Sequence, residues 1–244
     1  MLGRFLEFSL ATPDIRASLD FYTRLGFSQA EVGEAWPHPY AVVTDGRICL
    51  GLHQAAIPAP SLTFVKPGLL KHLEALEELG LEFEFRHLGD DVFNEVGWLD
   101  STGQLVRLIE ARTFSPSKRI VTDTSQCGYF LEIALPTANL ESSKAYWEQF
   151  GFVGMDEPDD PLPHVSCTSD YIDLGLYDPV HMRRSTLRFE VDDVAGTLAR
   201  LGDIGISPAA EIPPPLRQMP AAILIAPEGT PILLSSGPEG VGAR

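Results

Sequence analysis

The chain has 244 residues, 44% of them hydrophobic and 21% charged, which is the balance of a folded globular protein and excludes a fibrous or disordered one. Its formal charge of -16 repels phosphate backbones and sets nucleic acid aside as a partner. No stretch approaches the roughly 20 apolar residues of a membrane span, and the amino terminus lacks a basic region ahead of a long apolar run, so no membrane contact and a cytoplasmic location are expected.

The alternation in RFLEFSLA predicts a strand, after which Asp14 caps a helix whose apolar residues Ile15, Leu19, Tyr22 and Leu25 recur at helical spacing and which Gly26 ends. Short apolar runs at Tyr40 to Thr44 and Arg47 to Leu52 flank Asp45-Gly46, a hairpin turn signal. The same order restarts at SLTFV, with a helix carrying Leu69, Leu73 and Leu76 up to Gly80 and strands near Leu81 to Arg86, Asp91 to Leu99 and Gln104 to Glu110. Residues 1–111 thus read as one domain of two βαβββ modules, and the polar stretch 112–127 as a linker.

Beyond the linker the opening segment returns: GRFLEFSLATPDIRASLDFYTRLGF from Gly3 becomes GYFLEIALPTANLESSKAYWEQFGF from Gly128, with nine of twenty-five positions identical. A tandem duplication follows, with a second domain at 128–236, a flexible Gly-rich tail at 237–244, and equivalent residues 124 to 126 positions apart. Modules begin at Tyr129 and Ser185, with Asn139 and Asp192 in the capping role. The fold class is α+β, four βαβββ modules forming two curved-sheet domains. The repeat also marks Glu7 and Glu132 as equivalent points in two copies of one site. A carboxylate inside an apolar strand is expensive to bury unless it is paired or protonated, and period 2 sets it opposite in facing to Leu6 and Phe8, or to Leu131 and Ile133.

The paired modules, the TPDIRASLDFYTRLGF and TANLESSKAYWEQFGF helices, and the late turns DSTGQLVRLIE and APEGTPILLSS resemble the vicinal oxygen chelate superfamily, which includes glyoxalase I, bleomycin and fosfomycin resistance proteins and extradiol dioxygenases. The resemblance covers residues 3–110 and 128–235. It implies a curved sheet around a cavity in each domain, with metal ligands offered from the first and last strands of each module. Those positions fall on Glu7, Cys49, Ser61 and Arg107 in the first half, and on Glu132, Asp173, Thr186 and Leu233 in the second. Oxygenases of the superfamily place His, His and a carboxylate around Fe(II) there. Arg107 instead brings a permanent cation, and Leu233 has no donor atom.

Glu132 and Asp173 are two hard carboxylate donors that, with Thr186 as a weak third ligand and His164 nearby, could hold Mg²⁺ or Mn²⁺ weakly with waters, and no tightly bound metal is expected. Arg107 is expected beside Glu7, as an ion pair or a ligand clamp. The cysteines Cys49, Cys127 and Cys167 show no metal-type spacing and fit a reducing compartment. His38, His53, His72, His87, His164 and His181 show no HxH or HExxH spacing, fall on no implied ligand position, and mostly read as surface or loop residues. Trp36, Tyr40, Trp98 and Tyr177 line either the cavities or the core, and the loop Pro213, Pro214, Pro215, Leu216, Met219 either roofs a pocket or connects strands. Two functions stay in view. One is a binder of a small, partly apolar molecule, of the bleomycin-resistance kind. The other is a divalent-metal-dependent lyase, isomerase or dioxygenase using the second-half site. A homodimer through exposed sheet edges is compatible with either.

Overall fold

A computed structural model describes residues 2–32, 36–90, 94–111, 125–157, 162–210 and 212–237. Most of the expected linker and all but the first residue of the expected tail lie outside the described residues, as does the start of the strand expected from Asp91. The first half runs β1 (Arg4–Ala11), α1 (Ile15–Arg24), β2 (Ser28–Ala30), β3 (Tyr40–Thr44), β4 (Cys49–His53), β5 (Ser61–Lys66), a 3-10 turn (Leu69–His72) leading into α2 (Leu73–Glu78), β6 (Phe83–His87), β7 (Glu95–Leu99) and β8 (Leu105–Glu110). The second runs β9 (Tyr129–Pro136), α3 (Leu140–Glu148), β10 (Val153–Glu157), β11 (His164–Thr168), β12 (Leu174–Tyr177), β13 (Thr186–Glu190), α4 (Val194–Asp203), β14 (Ala221–Ile225) and β15 (Pro231–Ser235).

Local chemistry explains the boundaries. Asp14 Oδ1 accepts from the backbone N–H groups of Arg16 and Ala17 at 2.9 and 3.2 Å, and Asn139 Oδ1 accepts from Ser142 N–H at 2.9 Å, so the starts of α1 and α3 each have a side-chain acceptor. The cap of α4 is Asp193, which accepts from Gly196 N–H, rather than Asp192 one residue earlier. At the β3–β4 hairpin Asp45 Oδ1 gathers the N–H groups of Arg47 and Ile48, and Gly46 takes a φ of 89° that a side chain would resist.

One sheet has the order β2-β3-β4-β1-β5-β8-β7-β6, and the other β10-β11-β12-β9-β13-β15-β14. In each, the first strands of the two modules pair antiparallel at the centre (β1 with β5, β9 with β13), and parallel neighbours flank them (β4 and β8, β12 and β15). Glu7 and Glu132 therefore occupy equivalent central strands. The fourth module departs from the expected pattern. Among the described residues it is βαββ, and where an edge strand would run before β14 only the Ala209 N–H to Ile223 carbonyl bond stands out. The segment carries Pro208 and Pro213 to Pro215, which cannot donate to a ladder.

A single apolar core joins both halves, filled from Phe8, Leu10, Leu62 and Leu108 on one sheet and from Ile133, Leu135, Leu187 and Leu234 on the other. The halves exchange contacts reciprocally. Tyr22 OH and Ser18 Oγ of α1 donate to Glu228 in the β14–β15 turn at 2.7 and 2.8 Å, while Trp98 Nε1 of β7 donates to Tyr146 OH of α3 at 2.8 Å.

In the β7–β8 turn Asp100 Oδ1 accepts from Thr102 and Gln104, while its buried Oδ2 has no hydrogen-bond partner among the described residues, and burial pushes the carboxyl up to about 6 from 3.8. A raised folded value means that the protonated form is favoured by folding. Its contribution is full below pH 3.8 and is lost as pH rises through about 6. The expected loss is about 3 kcal/mol over that window. Urea unfolding at pH 4 and pH 7 should show it, and Asp100→Asn should remove that part of the pH dependence.

Candidate functional site

The side chains of β1 alternate as period 2 demands. Phe8 and Leu10 enter the core, and Glu7 and Ser9 point to the opposite, concave face. Register then places the polar neighbours: Thr63 lies opposite Glu7, Ser61 opposite Ser9, Arg107 opposite Thr63, and Tyr40 opposite His53. The Glu7 carboxylate is 2% exposed and satisfied on both oxygens. Its Oε1 accepts from Ser9 Oγ at 2.7 Å and His53 Nε2 at 3.0 Å, and its Oε2 accepts a short bond from Tyr40 OH. Ser9 Oγ also meets Thr63 Oγ1 at 2.7 Å, and Ser61 Oγ lies 3.4 Å beyond that. The carboxylate lies flat against β4, where a Cβ on Gly51 would fall 2.0 Å from Oε1.

Behind His53 stands His38, with Nε2 2.9 Å from His53 Nδ1. With His53 donating to Glu7, its Nδ1 accepts from His38, and a hydrogen-bonded line runs from the partly exposed His38 through the fully buried His53 to the carboxylate. Burial lowers the pKa of His38, reinforced by His53 and Arg107, which keeps its ring neutral at pH 7. Tyr40 shifts upward through burial and then the charge of Glu7, so its hydroxyl stays protonated and donates. The expectation that the histidines are mostly surface groups fails for His53 and His164, which are 0% and 5% exposed. The motifs ICLGLH and IDLGLY set His53 and Tyr177 two residues past Gly51 and Gly175, and hence on the same face as those glycines and the glutamates.

Arg107 does not reach Glu7 as expected, because β5 intervenes and Glu95 on β7 is nearer. Its Nη2 donates to Glu95 Oε2 at 2.5 Å, and His87 Nδ1 lies 2.8 Å from Glu95 Oε1. The guanidinium lies 5.3 Å from the Trp36 ring centre, a cation–π contact. Its Nε and Nη1 are buried with no hydrogen-bond partner among the described residues. Cys49 sits farther along the concave face and is partly buried.

The second half repeats the arrangement with two exchanges. Tyr177 OH donates to Glu132 Oε1 at 2.6 Å, and His164 Nε2 lies 3.8 Å from Oε2, with its ring stacked on Tyr177 at 4.5 Å. The tyrosine and the histidine have traded strands, since Tyr40 and His53 lie on β3 and β4 whereas His164 and Tyr177 lie on β11 and β12. Gly175 clears space as Gly51 does, a Cβ there falling 2.4 Å from Glu132 Oε1. Arg188 takes the place of Thr63, and its Nη1 donates to Glu132 Oε1 and to Tyr177 OH, both at 3.0 Å. Burial and then the charge of Glu132 raise the Tyr177 pKa, opposed by Arg188. Thr186 Oγ1 turns to the Arg184 carbonyl at 2.9 Å, and the partly buried Asp173 lies just before β12 on the Gly175 face. Over this face Leu162, Met182, Leu216, Ile223 and Leu233 form an apolar cluster. The proline loop is thus a roof: its 3-10 turn, Pro214–Gln218, plants Leu216 fully buried in that cluster.

These donors do not fit a divalent ion. In the first half Glu7 has its oxygens committed to Ser9, His53 and Tyr40, and the last-strand position is a cation. In the second Arg188 occupies Glu132, and Leu233 offers nothing. Among the described residues no group of three His, Cys, Asp or Glu is gathered about one point. A cleft of about 880 Å³ lies elsewhere, between the halves, lined among others by Pro60, Phe85, Leu105, Arg184 and Glu228.

Among solved structures, the chain is similar over its whole length to a catechol 2,3-dioxygenase, with 14% identity, a TM-score of 0.56 and 91% of that chain covered. It is similar in the same way to a variant of homoprotocatechuate 2,3-dioxygenase from Brevibacterium fuscum, with 16% identity, a TM-score of 0.63 and 74% of that chain covered. A halotolerant catechol dioxygenase matches 97% of this chain and 87% of its own at 14% identity, with a TM-score of 0.57. No protein-family model and no curated sequence matches the chain. The fold is that of these extradiol dioxygenases, built as two similar sheet domains.

Proposed function

We propose that this chain uses the dioxygenase-like scaffold to bind a small, partly apolar molecule on a concave sheet face without a tightly held metal ion. The observation that carries the reading is Arg188 Nη1 at 3.0 Å from Glu132 Oε1, in the half where the implied ligand positions retain two carboxylates. A divalent ion about 4 Å from that guanidinium would be repelled by about 8 kcal/mol at an effective dielectric constant near 20, which offsets much of what one carboxylate contributes. The first half is the more accessible of the two. Trp36, His38 and Tyr40 are each partly exposed at its rim, whereas the apolar roof seals the second.

Elemental analysis of protein purified without chelator or metal resin should find well under one iron, zinc or manganese per chain. Added Mn²⁺ or Fe²⁺ should leave the unfolding temperature unmoved. Stoichiometric iron with ring cleavage of a catechol would replace binding by the metal-dependent enzyme.

A further inference from the structure

The concave face of the first half contains a buried donor group that the described residues do not use. Arg107 is 2% exposed, and among the described residues only its Nη2 has an acceptor, the Glu95 carboxylate. Nε and Nη1 are buried and lack one. A buried N–H left unmade costs about 1 to 3 kcal/mol, more on a charged group, so these nitrogens mark where an outside acceptor belongs. The walls beside them are flat and apolar: Trp36 lies over the guanidinium, and Phe85 lies across Gly97, the cross-strand neighbour of Arg107, where a Cβ would fall 2.3 Å from the Phe85 ring. Phe85 also lines the cleft between the halves, so this corner adjoins open space.

Charge decides what kind of acceptor fits. The face already holds two carboxylates, Glu7 and Glu95, with 2% and 12% side-chain exposure, against the single guanidinium of Arg107. A ligand carboxylate or phosphate would add a further negative charge to a face whose permanent cation among the described residues, Arg107, is already paired. A carbonyl oxygen supplies the lone pairs without the charge. We infer that the first-half concave face is a binding site for a neutral, planar molecule bearing a carbonyl oxygen, with that oxygen on Arg107 Nε and Nη1 and the flat body against Trp36 and Phe85.

The inference rests on the metal-free binding reading and names its ligand class, and its test uses no metal. Benzamide, toluene and benzoate share a ring of the same size, and offer respectively a neutral carbonyl acceptor with an amide N–H donor, no polar group, and a charged acceptor. Ligand-observed NMR titration of the full chain should show benzamide saturating one site, with toluene and benzoate at least about tenfold weaker. Arg107→Lys keeps a cation beside Glu95 but removes both nitrogens. It should weaken benzamide by about 10- to 100-fold, the range of a hydrogen bond to a charged group, while toluene is unchanged. Labelling arginine with ¹⁵N gives a readout that needs no altered fold, since the Nε–H resonance missing from Arg107→Lys should move with benzamide and not with toluene. Benzamide binding no tighter than toluene, binding that survives Arg107→Lys, or a motionless Nε–H resonance overturns the inference. None of these touches the metal analysis, whose failure would be seen separately as bound iron or zinc.

Discussion

Replacing Gly51 with alanine should destabilise the protein by about 3 to 5 kcal/mol, although the change adds one methyl group to a strand. The new Cβ would lie 2.0, 2.2 and 2.4 Å from Glu7 Oε1, Cδ and Oε2, so the carboxylate must move. Overpacking alone costs about 1 to 3 kcal/mol. Moving the carboxylate also pulls it from Ser9, His53 and Tyr40, and a charged hydrogen bond contributes about 1.5 to 3 kcal/mol. The discriminating measurement is a double-mutant cycle read by urea unfolding. In a Glu7→Ala background the same Gly51→Ala change has nothing to strike, and alanine is the better strand residue, so it should be neutral or stabilise by up to about 1 kcal/mol. Costs that simply add across the cycle would show that the glycine is not there for the carboxylate. Gly175→Ala should behave in parallel, since the contacts with Glu132 are 2.4 to 2.6 Å.

That glycine shows how the sequence encodes the site and where the code stops being readable. An isolated glutamate in two apolar strands, repeated at the same place, identifies both the buried carboxylates and the face they occupy, because strand periodicity is a local property. LGL in ICLGLH and IDLGLY holds the second half of the motif, but its meaning appears only when β4 lies beside β1 and β12 beside β9. The exchange of Tyr40 and His53 for His164 and Tyr177 hides the common triad from position-by-position comparison. Only the β3–β4 and β11–β12 registers show that the same two side-chain types reach the same carboxylate. Arg188 lies two residues past Thr186 and so shares its face, a signal available from period 2 alone. Whether Arg107 turns to Glu7 or Glu95 depends on the strand order, which sets β7 beside β8 and β5 between β8 and β1, and that order is a tertiary property. The fourth module, read from the sequence as a full βαβββ unit, has no such edge strand among the described residues, and its prolines held the signal against one.

The buried pair in the second half leads to a different pattern of expected losses. Glu132→Leu should cost about 3 to 5 kcal/mol, because it strips Arg188, 3% exposed, of the Glu132 carboxylate that compensates it. Arg188→Leu should cost a comparable amount, with the Glu132 charge left to Tyr177 and His164. The double change Glu132→Leu/Arg188→Leu should recover most of either loss. Two leucines would extend the apolar cluster of Leu162, Leu216, Ile223 and Leu233 that already covers the face, and replacing a buried ion pair by packed apolar groups is often neutral or better. What remains is the Tyr177 hydroxyl without its acceptor, about 1 to 3 kcal/mol. No such rescue is expected in the first half. There Glu7 serves Ser9, Tyr40 and His53 together, and removing it takes an acceptor from three polar groups at once rather than from one cation. Denaturant unfolding of the three second-half variants is decisive: a double variant as unstable as the sum of the singles would mean that the pair holds the fold itself, and that the second half is no sealed counterpart of the first.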